Sequence, residues 1–434
     1  MDMSGLSFDQ APPYHSVQRF FLTAPLFGIL AGLAVLLNGQ GVFWSFLNPK
    51  LAGITHLMTL GFFTMTMFGA MMQMLPVIAG VKIYRPVLFS NIVYIALLCG
   101  ALLFGWSFFS GQFELFPGAL VLVFSALTFF CIRILGTLFS VKNYTPTVKA
   151  MVLAVFSLIV VLGLGITMAA WKLHWVGNLA ADILSVHIAW AFGGWITMLI
   201  MGVSFQVIPM FYVAPDFPLW IRKYFPPLLF SLLLLYSFFS LTDLPNGWVL
   251  KKSARLLMYG VFLVYSLQTL ALIRRRKRRL PDPSLLFWNT AMFFLAAFSL
   301  ICVYIEFYNG IYLVQWILIS GIIFAFGFVN SMINGMLYKI VPFLSWFHLA
   351  SRGIFAAPTM KDMLPDIFVR GHFYFYWFFL PSVIAAAFFP RDCTFYAGLF
   401  LALSNIFLWV NLIRVVFKYR TINKLHPVSP LKTG

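Results

Sequence analysis

Gly69-Ala70-Met71-Met72-Gln73-Met74-Leu75-Pro76 closes one long apolar segment of the chain. The phrase returns as Gly202-x3-Gln206-x2-Pro209 and again as Gly335-x3-Lys339-x2-Pro342. Each copy starts 133 residues after the one before (202 − 69 and 335 − 202). A fixed period of this length predicts homologous units laid end to end rather than one irregular bundle. The units run over about 19–140, 149–273 and 284–417, with boundaries good to about 2–4 residues.

Around the phrases the chain is 62% hydrophobic and only 9% charged over 434 residues. Its apolar residues come in blocks of about 20 or more, the length a helix needs to cross a bilayer. A transmembrane barrel would require alternating segments of about 10 residues, which continuous Leu, Phe, Ile and Met runs exclude. The reading is an all-α polytopic membrane protein of 12 transmembrane helices, arranged as three pseudo-symmetric four-helix units. Its partner over most of its surface is the lipid bilayer.

Lys and Arg resist translocation, so their distribution orients the helices. Placing the N-terminus, the even-numbered connections and the C-terminus on one side leaves only Lys50, Lys172, Lys251, Lys252, Arg255 and Arg391 on the other. This predicts a multi-pass protein of the inner, cytoplasmic membrane with both termini cytoplasmic (N-in/C-in). The net charge of +18 then reads as anchoring against anionic lipid, chiefly at the Arg274–Arg279 cluster, and not as nucleic-acid binding. Residues 1–18 carry Asp2, Asp9 and two prolines and lack the basic start of a cleavable signal, so the first span is expected to be retained. Cys99, Cys131, Cys302 and Cys393 show no CxxC or haem-attachment spacing. The longest cytoplasmic connection is a surface loop over 345–371, with an amphipathic piece at Met360–Phe368.

An imidazole at membrane depth is costly and therefore points to function. Of seven histidines, His15, His174, His348 and His426 fall in water-facing segments, and His372 opens the eleventh helix. His56 and His187 remain, near the outer starts of spans 2 and 6, about 30 Å from Pro76 and Pro209 by helix rise. At 100° per residue, His56, Phe63, Met67 and Met74 share a stripe with Met71 beside it; His187, Ala191, Gly194, Met198 and Met201 form another. Imidazole and thioether ligate haem or copper, and small residues admit a flat macrocycle; the same residues also suit plain helix packing. His56 precedes its phrase glycine by 13 residues and His187 by 15, an offset of about 200° on ideal helices. At the inner ends, Gln73, Gln206 and Lys339 form a polar triad able to hold an anion, or else Lys339 simply snorkels to headgroups.

The segments Thr55-His56-Leu57-Met58-Thr59-Leu60-Gly61-Phe62, Met74-Leu75-Pro76-Val77 and Lys339–His348, within this architecture, resemble divergent members of the haem-copper oxidase subunit I superfamily. Those members are described as oxidase-subunit-I-like or as relatives of the nitric-oxide-response haem and copper protein NnrS. The resemblance implies a b-type haem on His56, the helix-2 axial ligand, and a copper-ligand position at His187. It also implies respiratory or nitric-oxide physiology and a respiratory or assembly partner subunit. The chain departs from the oxidases in helix 7 (224–241), which has no histidine, and in helix 10, where Gln315, Trp316, Ser320 and Gly321 stand in place of ligands. The three-imidazole copper site of the oxidases therefore cannot be built, and oxygen reduction is not expected. The expected function is a non-oxidase, haem-binding member of the superfamily. The alternatives are a Cu(I) carrier using Met67, Met71, Met74, Met198 and Met201 with the histidines, and an assembly or scaffold subunit. Lys50, Lys172 and Arg391 lie on the side where haem propionates would sit.

Overall fold

The computed structural model describes residues 12–242, 244–277, 279–354 and 358–426. In these the chain folds as helices α1 (Tyr14–Asn38), α2 (Pro49–Ala79), α3 (Pro86–Ser110), α4 (Phe116–Phe139), α5 (Pro146–Lys172) and α6 (Ile183–Tyr212). The second half gives α7 (Leu219–Leu241), α8 (Gly247–Arg274), α9 (Ser284–Ile305), α10 (Leu313–Ala350), α11 (Asp366–Ala386) and α12 (Pro390–Leu425). Among the described residues there is no strand, and eleven helices are long and apolar enough to cross a membrane. The protein is an all-α, multi-pass membrane protein. α11 is the one long helix outside that set; Asp366, Arg370, His372 and several Tyr and Trp residues dilute its apolar character.

Helix starts follow local chemistry. Pro49, Pro86, Pro146 and Pro390 each occupy a first-turn position, where a missing N–H costs nothing. Asn48 and Thr145 cap their helices by accepting from the N–H groups of Lys50 and Val148.

α2, α6 and α10 are each interrupted by a π-helical segment: Leu57–Thr64, Ala189–Thr197 and Ile323–Asn330. Every one ends five residues before its phrase glycine. A π turn loosens the carbonyl ladder, and in lipid each loosened group needs a partner. Hydroxyls supply them. Thr66 Oγ1 donates to the Phe62 carbonyl at 2.8 Å, Thr197 Oγ1 to that of Phe192 at 2.7 Å, and the Tyr376 hydroxyl to that of Phe326.

The phrase glycines are contact points. A Cβ on Gly69 would lie 2.9 Å from Phe20 Cβ, on Gly202 2.5 Å from Ala150 Cβ, and on Gly335 3.0 Å from Phe287 Cβ. A second glycine, eight residues earlier in each copy, does the same: Gly61 meets Phe27, Gly194 meets Ser157 and Gly327 meets Phe294. The paired residues on α1, α5 and α9 are seven apart in every case. Eight residues of ideal α-helix would leave the two glycines about 80° apart in azimuth. The wider π turn between them returns both to one face.

α1 and α12 approach still more closely: a Cβ on Gly32 would stand 2.5 Å from the Ala402 nitrogen, and one on Gly398 2.8 Å from the Gly32 carbonyl. At the end of the bundle carrying the phrases, called here the phrase end, Tyr14 bonds Ser345 at 2.8 Å and stacks on His348. This contact explains a difference from the sequence reading, in which a loop begins at residue 345. The helix continues to Ala350 because Ser345 and Leu349 are buried against the start of α1. The connection proper is 351–365, of which 355–357 lie outside the described residues, as do 1–11 with Asp2 and Asp9. Within it, Thr359 and Asp362 form a capping box around the short helix Met360–Met363. The Thr359 hydroxyl, and then its N–H, hold the exposed Asp362 carboxyl below the usual carboxylate range.

Two outcomes are expected. Gly202→Ala forces Ala150 aside and should destabilise the protein by about 1–3 kcal/mol. In thermal unfolding, Gly202→Ala/Ala150→Gly should lose less than the two single changes added together. Because the Asp362 carboxyl is depressed, its stabilisation of the capping box is present above the ordinary carboxylate pKa and lost as pH falls through its lowered value. Hydrogen exchange at the Asp362 and Met363 amides should accelerate in that acidic window, and Asp362→Asn should remove the dependence.

Candidate functional site: two imidazoles beside the fifth helix

His56 is the last residue before the π segment of α2, and His187 lies one residue before the last α-helical residue of α6, ahead of its π segment. The His56 Nδ1 lies 2.8 Å from the Ala52 carbonyl one turn back. A carbonyl only accepts, so Nδ1 carries the proton and Nε2 presents a lone pair. Two rings of α3 hold the imidazole: Phe104 at 4.7 Å and Phe108 in parallel at 6.2 Å. Phe104 in turn packs with Phe116 and Ala169, so the cage reaches α5.

His187 lies against α5 as well, with Val161 and Gly165 as neighbours. A Cβ on Gly165 would meet only the His187 ring, at 3.4 Å. Its Nδ1 is buried and has no hydrogen-bond partner among the described residues, an arrangement that costs about 1–3 kcal/mol unless a ligand satisfies it. The two imidazoles lie within electrostatic reach of one another. Strict equivalence between α2 and α6 would have set them in corresponding gaps of their own units. With the two-residue offset, His187 packs directly on α5, while His56 reaches the same helix through the Phe104 cage.

The methionine stripes do not follow the histidines. The π segments lie between each histidine and its methionines, so a count at 100° per residue does not carry through. Met67, Met71, Met74, Met198 and Met201 are all buried in seams between helices. Met198 receives the Ser157 hydroxyl of α5 at 4.0 Å, and Gly194, which the sequence offered as room for a macrocycle, is filled by the same serine. Met74 lies at the phrase end, in a cleft with Gln73, Gln206, Met210, Phe343 and Phe347. Among the described residues no group of three or more His, Cys, Asp or Glu side chains is placed to hold a metal ion.

The three phrase polar residues divide. Gln73 and Gln206 line that one cleft, whereas Lys339 forms an ion pair with Asp282. Asp282 also accepts from the Ser284 N–H and hydroxyl at 3.1 and 2.6 Å, and Ser284 bonds the Tyr212 hydroxyl at 2.9 Å. The ammonium is therefore held on the α6–α9 side and does not close a triad with the glutamines. Asp282 was overlooked in the sequence, although Asp282-Pro283-Ser284 just before an apolar run is a helix-start signal.

His372 is the larger surprise. α11 begins at Asp366, so His372 sits nearly two turns inside it and is fully buried. Asn411 donates to the Tyr338 hydroxyl at 3.0 Å, Tyr338 bonds His372 Nδ1 at 2.9 Å, and His372 Nε2 bonds Ser404 at 2.9 Å. One ring nitrogen of a neutral His372 donates and the other accepts, so its tautomer sets the direction of both bonds, and the chain ties α10, α11 and α12 together. At the opposite end of the bundle, the histidine end, Glu306 is paired through both oxygens with Arg255, and Asp182 with Lys251.

No family model matches the chain, and no curated protein matches it.

Breaking the Lys339–Asp282 pair leaves a half-buried carboxylate without its cation. Lys339→Met should cost about 1–3 kcal/mol, and adding Asp282→Asn should recover part of that loss in detergent-solution melting.

Proposed function

We propose that this chain is a non-oxidase, haem-binding membrane protein built on the haem-copper oxidase architecture. In this reading twelve helices cross the bilayer as three four-helix units, with both termini and the phrase end on the cytoplasmic side and anionic lipid around the Arg274–Arg279 run. The repeated glycine contacts and the π segment in each of α2, α6 and α10 support the three units. The concentration of Lys and Arg at the phrase end supports the orientation.

One observation carries the haem assignment: two half-buried imidazoles lie near α5 at the histidine end, each with a nitrogen that no protein group engages through a hydrogen bond. His56 has its ligating nitrogen set by the Ala52 carbonyl, and Phe104 and Phe108 fix the ring plane. Gly165 lets the His187 ring lie directly on α5, where a Cβ would stand 3.4 Å from it. The donor set therefore fits a haem held by His56, His187 or both. Bound there, the haem would supply one-electron chemistry or a site for a diatomic ligand. The protein's own part is to fix the imidazole tautomer, exclude water with the α3 aromatics and shield the site from the histidine-end surface. Three imidazoles for an oxidase copper are not brought together, and the reaction class is correspondingly limited to redox transfer or gas binding in respiratory or nitric-oxide physiology.

Protein expressed with ample haem and purified in mild detergent should show a Soret band and a reduced-minus-oxidised b-type spectrum. His56→Ala should remove most of that absorbance, while Ala52→Pro, which alters the backbone behind the ligand, should broaden or shift it. Absence of Soret absorbance in the unmodified protein would sink the assignment.

A further inference from the structure

Two connections meet at one corner of the phrase end. The basic run after α8 is pinned to the connection between α6 and α7 by a backbone hydrogen bond, from Lys277 N–H to the Val213 carbonyl at 2.9 Å. Val213 takes a left-handed conformation, φ 52°, where α6 stops. The joint brings Arg274, Arg275, Arg276 and Lys277 to the same corner as Arg222 and Lys223 on the first turns of α7. Arg276 is occupied in part with the Ile273 carbonyl, and Arg222 faces Asp216 at 3.7 Å. The other nearby carboxylate, Asp282, belongs to Lys339. Among the described residues no carboxylate pairs with Lys223, Arg274, Arg275 or Lys277, and all four are exposed.

Beside these cations the first turns of α7 expose Leu219 at 73%, Trp220 at 47% and Tyr224 at 55%. α7 is one of the helices able to cross a membrane, so this apolar and aromatic rim marks the depth at which acyl chains give way to headgroups. Cations without a carboxylate partner set among such a rim, Lys223 beside Tyr224 with its ammonium over the ring at 5.1 Å, match one surface: phosphate above, hydrocarbon below. A soluble polyanion would account for the charge and leave Leu219, Trp220 and Tyr224 unexplained.

We propose that this corner is a binding site for an anionic phospholipid, with Lys223, Arg275 and Lys277 contacting the headgroup phosphate and Trp220 at the boundary with the acyl chains. The site sharpens the lipid reading given above from a diffuse basic run to a corner where two connections are joined by a backbone hydrogen bond. It is independent of the haem assignment, which concerns the opposite end of the bundle.

The test is fluorescence quenching of protein reconstituted in vesicles, with the Trp220 component isolated by subtracting the Trp220→Phe variant. Brominated phosphatidylglycerol should quench that component at about tenfold lower mole fraction than brominated phosphatidylcholine. Each cation near a charged bilayer contributes about fivefold to association. K223Q/R275Q/K277Q should therefore bring the preference close to unity while haem absorbance, where present, stays unchanged. Should the triple variant fail to fold, raising the salt concentration on the unmodified protein should erode the same preference. Equal quenching by the two lipids, a preference unmoved by the triple substitution and by salt, or equal displacement by dissolved glycerol phosphate would each overturn the proposal. The last outcome would assign the corner to a soluble phosphate.

Discussion

Close approach of glycine to a neighbouring helix is the interaction on which the rest of this bundle depends. In hydrocarbon the lipid competes equally for apolar side chains, so helices associate through tight van der Waals contact and polar groups rather than through expulsion of water. Gly61 and Gly69 on α2, Gly194 and Gly202 on α6, and Gly327 and Gly335 on α10 each admit the preceding helix to within contact of the backbone. Keeping two such glycines on one face across eight residues demands a wider turn, and the π segments provide it. The carbonyls loosened by those turns then recruit Thr66, Thr197 and Tyr376. A packing requirement thus generates the polar features of the core.

That chain of causes also shapes the histidine end. His56 and His187 sit where the α-helix gives way to the π segment, so the direction of each ring depends on a local change of helix type. The result is asymmetric use of a repeated scaffold. α2 and α6 place imidazoles near α5, whereas α10 carries its histidine, His348, at the phrase end, and the histidine end there holds the Arg255–Glu306 pair between α8 and α9. At the phrase end α10 again differs: Lys339 turns to Asp282, and Phe343 and Phe347 take the place beside Gln73 and Gln206.

Membrane helices, their approximate limits and the repeat were legible in the sequence because each rests on a local property: the length of an apolar run, a proline at a first turn, a phrase at fixed spacing. His56 and His187 were legible for the same reason, as costly residues in apolar runs. What the sequence pattern misjudged is instructive. The methionine stripes assumed one helical period throughout α2 and α6, and a π segment is invisible to a count at 100° per residue. His372 was placed at a water-facing opening because α11 starts earlier than hydropathy suggests, and its burial depends on Tyr338 and Ser404, 34 and 32 residues away.

By itself, then, the sequence determined that this chain is a helical membrane protein and that a short phrase recurs in it at a fixed spacing. Hydrophobicity and spacing act along the chain and need no partner. Only the tertiary structure decided which groups meet: that Lys339 belongs to Asp282 and not to the glutamines, that His372 is part of an interhelical network, and that His187 packs against α5 at Gly165. Those outcomes turn on azimuth and helix register, which small residues and π turns set through contacts between segments far apart in sequence.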